Sequence, residues 1–256
     1  SYGADKEAIL ALARSWLRGI SASEAVDGAV EFNWRKQERI LASLPQFLTR
    51  IDGLDLHFVH VRARPTGSQR VDTLLMLHGW PGSFYEFHKI AQMLAEDAEA
   101  DTVFNVVVPS IPGYTFSEAP STSGVSPVEV GAMFIKLMRR LQYDSYVIQG
   151  GDWGAVIANA IALMDTERCR GMHSNFNIAV PSPMSILTRV FPSALLPNWL
   201  LSKHDQDKVL PLSRMAGKLF EETGYMHVQG TRPDTLGVAL GDSPLGLAVW
   251  IIEKFH

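Results

Sequence analysis

The stretch that decides the fold is residues 145–154, Ser-Tyr-Val-Ile-Gln-Gly-Gly-Asp-Trp-Gly. Val147 and Ile148 form a short apolar run that predicts a buried strand, and the apolar, alanine-rich residues 155–163 predict a helix directly after it. Asp152 therefore lies in a strand-to-helix turn, at the position where a G-x-S-x-G motif carries its nucleophilic serine. This order of elements indicates an α/β fold.

An aspartate at this turn indicates a chemistry different from that of a serine. A serine hydroxyl needs a base to remove its proton, whereas the Asp152 carboxylate is already anionic at neutral pH and suits displacement at a strained sp3 carbon. Gly150 and Gly154 leave room for the tight turn, which a Cβ would crowd. We expect Asp152 to be a nucleophile that forms an ester with its substrate. An ordinary Asp N-cap is the alternative.

A second motif favours the interpretation of Asp152 as a nucleophile over that of an ordinary N-cap. Residues 73–77 predict another buried strand, which leads into His-Gly-Trp-Pro-Gly at 78–82. In enzymes with such a turn, the oxyanion hole takes one backbone N–H from this loop and one from the residue after the nucleophile. Trp80 and Trp153 are the predicted donors, and a cis Trp80–Pro81 bond is one way to fix the turn. A rigid loop without chemistry is the alternative.

With these motifs the sequence resembles the epoxide hydrolases of the α/β-hydrolase fold, in particular their microsomal-type and fungal branch. The resemblance spans nearly the whole chain. It is carried by residues 33–38 (NWRKQE), 45–47 (PQF), 51–60 (IDGLDLHFVH), 78–84 (HGWPGSF), 109–117 (PSIPGYTFS), 150–154 (GGDWG), 224–227 (GYMH) and 231–235 (TRPDT).

The resemblance implies a reaction in two steps. Asp152 opens the epoxide by back-side attack while a tyrosine hydroxyl donates to the epoxide oxygen, and Tyr225 matches the first of the family's two tyrosines. A water molecule activated by histidine then hydrolyses the ester and releases a vicinal diol, with the Trp80 and Trp153 N–H groups stabilising the oxyanion. For Tyr225, a structural tyrosine with a satisfied hydroxyl is the alternative that composition alone favours.

The family places its second tyrosine, its orienting acid and its histidine base after a helical cap. No residue here is assigned to these roles, because the cap pattern runs to the last residue, His256. His204 and His227 come before the end of the cap, and neither is assigned as the catalytic base. We therefore expect a chain truncated at both ends, which lacks the base and stalls at the Asp152 ester.

Alternating strands and helices predict a doubly wound, mostly parallel sheet with a helical cap. It has six of the about eight strands usual for the α/β-hydrolase fold. The expected strands are 46–51, 54–61, 73–77, 103–108, 145–149 and 170–174, and the expected helices are 5–18, 83–97, 127–141, 154–164, 212–223 and one that opens at Ser243-Pro244. Gly19 is expected to end the first helix.

Three domains follow from this pattern. Residues 1–45 form an N-terminal helical arm, residues 46–179 an incomplete α/β-hydrolase core, and residues 180–256 the cap. Apolar cap residues, including Phe191, Trp199 and Trp250, would line a substrate cavity or pack the cap onto the core.

Composition excludes several other classes of function. A net charge of −4 without basic runs argues against nucleic acid, and a chain without about eighteen consecutive apolar residues encodes no membrane span. No cofactor or metal is expected, since His57 and His60 should lie on opposite faces of their strand and no ligand cluster has metal spacing. The single Cys169 is expected to be a small core residue.

The expected partners are a small apolar epoxide and water, and a homodimer is compatible with the sequence. A cytoplasmic location is favoured. Association with the endoplasmic reticulum membrane is the alternative if an N-terminal anchor, which animal members of the family carry, has been removed.

Two other functions stay open. A haloalkane dehalogenase also uses an Asp-Trp nucleophile, but it typically has a polar residue at the position of Trp80 and lacks the tyrosine motif around Tyr225. A scaffold without turnover is the non-enzymatic alternative.

Overall fold

The computed structural model describes residues 3–21, 33–177, 182–185, 187–188, 192, 202–204 and 211–255. Its contacts divide the chain into two compact units. The first is Asn33–Asn177, which contains the sheet and Asp152, and the second combines Ser1–Phe32 with Ile178–His256, which contains Tyr225.

The first unit is built on a six-stranded sheet in the order β1-β2-β4-β3-β5-β6. Its strands are β1 (Gln46–Ile51), β2 (Leu54–Val61), β3 (Arg70–Leu77), β4 (Thr102–Pro109), β5 (Tyr146–Gly150) and β6 (Cys169–Ser174). β2 is antiparallel to β1 and β4, and the β3–β4, β3–β5 and β5–β6 pairs are parallel. The predicted sheet is confirmed. Because β3 and β5 are parallel neighbours, the two motifs that follow them meet at one edge of the sheet.

Helices cover both faces of this sheet. They are α2 (Trp34–Ala42), a 3-10 helix (Phe84–Phe87), α3 (Ile90–Glu96), α4 (Pro127–Arg140) and α5 (Trp153–Met164). Helices α4 and α5 bury Phe134 and Ile157 against Leu75 and Leu77, whereas α3 packs on the other face with Met76. Successive side chains of a strand point to opposite faces, so the apolar run of β3 serves both cores. The doubly wound arrangement is confirmed.

The second unit is helical in its described part. It contains α1 (Lys6–Ser21), α6 (Pro183–Ser185), α7 (Leu212–Glu222), α8 (Gly224–Thr231), α9 (Pro233–Asp242), α10 (Pro244–Ile252) and a 3-10 helix (Glu253–Phe255). The predicted stop at Gly19 is wrong because glycine also adopts helical angles, at a cost of only about 1 kcal/mol. The predicted Ser243 N-cap is confirmed: its hydroxyl accepts the Gly246 N–H over 3.0 Å. No described helix is both long and apolar enough to cross a membrane.

Two of the apolar cap residues named from the sequence, Phe191 and Trp199, lie outside the described residues. Trp250 lies on α10, where it lines a surface cleft of about 550 Å³ together with Leu245 and Val249. Its indole nitrogen is buried and makes no hydrogen bond with any described residue. Cys169 starts the edge strand β6 and is partly buried against the core.

The buried histidines of β2 are packing residues. His57 hydrogen bonds with Ser110 over 2.8 Å and with Gln46 over 3.0 Å, and burial lowers its pKa to about 4. His60 hydrogen bonds with Tyr143 over 2.7 Å, on the other face of the sheet. The described residues contain no group of three side chains that could hold a metal ion.

Candidate active site

Asp152 occupies the two-residue turn between β5 and α5 in a rare backbone conformation. Its φ is 51° and its ψ is −128°, a region in which a Cβ is disfavoured and which costs about 1–3 kcal/mol for a residue other than glycine. Such strain persists only where the surroundings enforce it. The turn therefore presents the Asp152 carboxylate at the carboxyl edge of the sheet, where α/β folds bind ligands.

The glycines on either side of Asp152 are required by close backbone contacts. A Cβ on Gly154 would collide with the carbonyl group of Leu77, at the end of the neighbouring strand β3. A Cβ on Gly150 would lie 2.6 Å from the carbonyl carbon of Gly154. The sequence-based expectation for both glycines is confirmed, and the turn is compressed against β3.

The Asp152 side chain does not behave as an ordinary helix cap. It accepts no capping hydrogen bond from the first turn of α5. Its Oδ1 instead accepts the backbone N–H of Trp80 over 2.9 Å. Gly79 makes this approach feasible, because a Cβ there would lie 2.7 Å from the carboxyl carbon of Asp152. The carboxylate is thus turned from its own helix towards the loop after β3.

The two predicted N–H donors differ in what they contact. Trp80 precedes a cis peptide bond to Pro81 and donates to Asp152 as described. Trp153 is the first residue of α5, where backbone N–H groups have no partner within the helix. In the described part of the chain its N–H makes no hydrogen bond, and the residue is 44% exposed. One predicted donor already contacts the carboxylate, and the other lies at an open helix end.

His78 ties this loop to the loop after β4. It is buried, its Nε2 accepts the Ile111 N–H over 3.1 Å, and its Nδ1 donates to the Gly79 carbonyl over 3.1 Å. These bonds require the neutral ring with its proton on Nδ1. Burial lowers the pKa of His78 and outweighs the opposing effects of Gly79 and Asp152. His78 is therefore a neutral structural link behind the site.

Tyr114 is a site residue that the sequence-based assignment missed. Its ring packs edge-on against His78, with centroids 5.2 Å apart. Burial of the Tyr114 hydroxyl, and after it the negative charge of Asp152, raise its pKa to about 12. The signal available was the motif that follows β4, in which Gly113, with a φ of 87°, is the third residue of a turn that the Tyr114 N–H closes on the Ile111 carbonyl.

Among the described residues, Asp152 has no cationic partner. The salt bridges of the described residues do not include it, and its one hydrogen bond leaves Oδ2 unoccupied. It lies at the N-terminus of α5, where the helix dipole stabilises negative charge. The arrangement can hold an anion while one of its oxygens stays available for reaction.

Tyr225 belongs to the second unit, in the first turn of α8. It is partly buried, and the Lys254 ammonium lies 4.3 Å from its ring centroid, within the range of a cation–π interaction. Lys254 also pairs with Glu253 over 2.9 Å. The Tyr225 ring is thus contacted from the 3-10 helix Glu253–Phe255.

Models of two known domains match the chain. Residues 1–87 match the epoxide hydrolase N terminus, and residues 72–227 match the alpha/beta hydrolase fold. The chain is 42% identical over 226 residues to Juvenile hormone epoxide hydrolase 2 of Ctenocephalides felis, and 42% identical over 229 residues to Epoxide hydrolase 1 of Sus scrofa. These matches cover 88% of the chain and 48% and 50% of the relatives. The chain spans about half the length of these relatives.

Solved structures agree with this assignment. The chain matches juvenile hormone epoxide hydrolase from the silkworm Bombyx mori with a TM-score of 0.83 at 36% identity, over 99% of this chain and 57% of that one. It matches Aspergillus niger epoxide hydrolase with a TM-score of 0.75 at 30% identity, over 99% and 59%. The resemblance seen in the sequence is confirmed. The chain belongs to the α/β-hydrolase fold family, and the relatives that it matches there are epoxide hydrolases.

Proposed function

We propose that the protein hydrolyses apolar epoxides to vicinal diols through an ester with Asp152. The observation that carries this proposal is the Asp152 carboxylate, held in a strained turn by one backbone N–H and free of cations among the described residues. Since the chain spans about half of each epoxide hydrolase that it matches, the proposal concerns the whole protein.

In the first step Asp152 attacks an epoxide carbon. Its Oδ1 is held by Trp80, so Oδ2 is the attacking oxygen. A bond forms between Oδ2 and the carbon while the carbon–oxygen bond of the ring breaks. The expelled oxygen takes a proton from the Tyr225 hydroxyl, because an alkoxide without a proton is a poor leaving group. Ring strain lowers the barrier, and a hydroxyalkyl ester results.

In the second step water attacks the carboxyl carbon of Asp152. Negative charge then develops on Oδ1, which already accepts the Trp80 N–H. The N–H of Trp153, which makes no hydrogen bond with a described residue, is the second donor. A histidine base takes a proton of the water, and we assign this role to none of the eight histidines of this chain. Collapse of the intermediate breaks the bond between the carboxyl carbon and Oδ2, and the diol oxygen that leaves takes the proton from the histidine. The new carboxylic acid returns its proton to the Tyr225 phenolate, which restores the carboxylate and the phenol.

The domain roles belong to the same proposal. Residues 1–45 form an arm, residues 46–179 the catalytic core, and residues 180–256 a cap that contains Tyr225. Of the three cap residues predicted to line a substrate cavity, Phe191, Trp199 and Trp250, the structure describes Trp250. The partners are an epoxide and water, and self-association into a homodimer is tested by sedimentation.

A substrate comparison tests the proposal. The full-length protein is incubated with styrene oxide, with a juvenile hormone epoxide as named for the Bombyx mori relative, and with 1-chlorobutane. We expect diol from at least one epoxide, no chloride, and an ester adduct by rapid-quench mass spectrometry. Release of chloride without diol would instead identify a haloalkane dehalogenase.

The acid role of Tyr225 has its own test. Replacing Tyr225 by Phe keeps the ring and its contact with Lys254 but removes the proton, so ring opening should slow by about 10²-fold or more while stability changes little. Single-turnover ester formation measures the rate, and thermal unfolding measures stability. An unchanged rate of ring opening would exclude Tyr225 as the acid.

A further inference from the structure

Glu86 lies behind the turn that presents Trp80. The backbone N–H of Ser83 donates to Glu86 Oε1 over 3.0 Å, and the Ser83 hydroxyl accepts the Tyr85 N–H over 3.2 Å. These bonds form a capping box at the start of the 3-10 helix Phe84–Phe87. Glu86 is therefore bonded to the segment that follows Trp80.

The Glu86 carboxyl also packs against the backbone of this turn. A Cβ on Gly82 would coincide with Glu86 Oε1 and lie 2.6 Å from the carboxyl carbon. Pro81 has no N–H and Gly82 has no side chain, so neither residue can hold the turn through a side-chain hydrogen bond, and Pro81 cannot donate from its backbone. The turn therefore depends on contacts with other residues, and Glu86 supplies two of them, its hydrogen bond with Ser83 and its packing against Gly82.

The charge of Asp152 also affects the pKa of Glu86. Partial burial of its carboxyl raises the pKa of Glu86, the Ser83 N–H lowers it, and the negative charge of Asp152 raises it again. The four-residue turn is thus held at its first N–H, that of Trp80, by one carboxylate, and at its last N–H, that of Ser83, by another.

We propose that Glu86 is a positioning residue of the oxyanion hole, which clamps Ser83 so that the Trp80 N–H stays directed at Asp152 Oδ1. The catalytic consequence rests on the proposed function, whereas the clamp itself does not. Since the oxyanion forms in the hydrolysis of the ester, loss of the clamp should slow this step more than ester formation.

The chain contains a matched control. Glu129 makes the same capping box at the start of α4, where its Oε2 accepts the Ser126 N–H over 2.9 Å and the Ser126 hydroxyl accepts the Val128 N–H over 3.2 Å. Replacing Glu129 by Ala removes the same kind of cap from another helix. The two Ala variants should lose similar stability, so a difference in catalysis between them reports on the position of Trp80.

Amide hydrogen exchange tests the clamp without any turnover. In Glu86→Ala we expect the Trp80 amide to exchange about tenfold faster, and in Glu129→Ala we expect no change. Glu86→Gln keeps an oxygen acceptor for Ser83 and should retain protection. Glu86→Asp keeps the negative charge, but its side chain is one methylene shorter and places the carboxylate farther from the Ser83 N–H. In this variant the Trp80 amide should lose protection. The opposite order for Gln and Asp would overturn the clamp, as would equal protection in all variants.

Rapid-quench kinetics of the full-length protein test the catalytic consequence. In Glu86→Ala we expect ester hydrolysis to slow by about tenfold or more, with ester formation altered by less than about threefold, and both rates unchanged in Glu129→Ala. Equal slowing of both steps, or of neither, would overturn the positioning role. If the wild-type protein forms no ester with epoxides, the proposed function fails, and hydrogen exchange still decides the clamp.

Discussion

Two aspartates lie at the two ends of helix α5 and have opposite environments. Asp152 precedes the helix in a strained conformation, is half-buried and accepts one backbone N–H. Asp165 follows the helix and is 4% exposed. It accepts the Tyr146 hydroxyl over 2.7 Å and pairs with Arg139 over 3.3 Å and Arg168 over 3.1 Å.

The helix dipole explains part of this difference. A carboxylate at a helix N-terminus is stabilised by the dipole, whereas one at the C-terminus is repelled and needs cations. Burial alone would raise the pKa of Asp165, but the Tyr146 hydroxyl, Arg139 and Arg168 hold it below its usual range. Asp165 thus has partners on both carboxylate oxygens, whereas Asp152 keeps one oxygen without a partner among the described residues, as the proposed function requires.

The largest expected effect separates the two aspartates by rate. Asp152→Asn should slow ester formation by at least about 10³-fold, since an amide oxygen is a much weaker nucleophile. Asp165→Asn should leave the rate per folded molecule nearly unchanged. Single-turnover ester formation in the full-length protein, normalised to the folded fraction, measures both. Comparable losses in the two variants would remove the distinction.

The loss of folding stability should show the reverse order, with a larger loss at Asp165 than at Asp152. Asp165→Ala leaves the buried Tyr146 hydroxyl without its acceptor and two arginines without their partner, so it should cost about 3 kcal/mol. Asp152→Ala removes one hydrogen bond in a half-exposed site and should cost about 1 kcal/mol. Urea denaturation gives both values. A greater loss at Asp152 would contradict the structural role of Asp165.

Acid should lower the free energy of unfolding, because Asp165 becomes protonated. Because its pKa is lower in the folded than in the unfolded state, its contribution is complete above the unfolded pKa of about 3.9 and disappears as the pH falls through the folded value. Below about pH 4 the wild-type protein should therefore lose stability more steeply than Asp165→Asn. Urea midpoints at several pH values measure the two slopes, and parallel slopes would argue against a depressed pKa.

The smallest effect concerns backbone strain. At position 152 a Gly variant should be more stable than an Ala variant by about 1 kcal/mol, because only glycine adopts a φ of 51° freely. At position 165, where φ is −123°, Ala should match or exceed Gly. Thermal unfolding of the four variants tests this reversal. The same order at both positions would show that the turn at Asp152 is not strained.

The sequence predicts the turn at Asp152 better than it predicts the partners of Asp165. The turn has a local signal, an apolar strand followed by small residues and an apolar helix, and alternation of such segments predicts the sheet. The contact between Tyr146 and Asp165 exists only once β5 and the end of α5 meet in three dimensions. Polar residues at helix ends have many alternative partners, so spacing alone does not identify the pair.

The same reasoning applies to the candidate site. Asp152 and Trp80 follow recognisable strands, and parallel pairing of β3 and β5 brings them together. Tyr114 comes from a loop whose path depends on two residues with positive φ, Gly113 and Thr115, which periodicity does not reveal. Glu86 had a local signal, the capping-box spacing from Ser83, but only the fold relates that box to Asp152.

One isotope experiment tests the ester most directly. A single turnover of an epoxide by excess full-length protein in water enriched in oxygen-18 is followed by proteolysis and mass spectrometry of the peptide that contains Asp152. We predict that the heavy oxygen enters the Asp152 carboxylate, while the diol carries an unlabelled oxygen from the protein. Label found only in the diol, with Asp152 unlabelled, would mean that water attacks the epoxide directly and would contradict the proposed Asp152 ester.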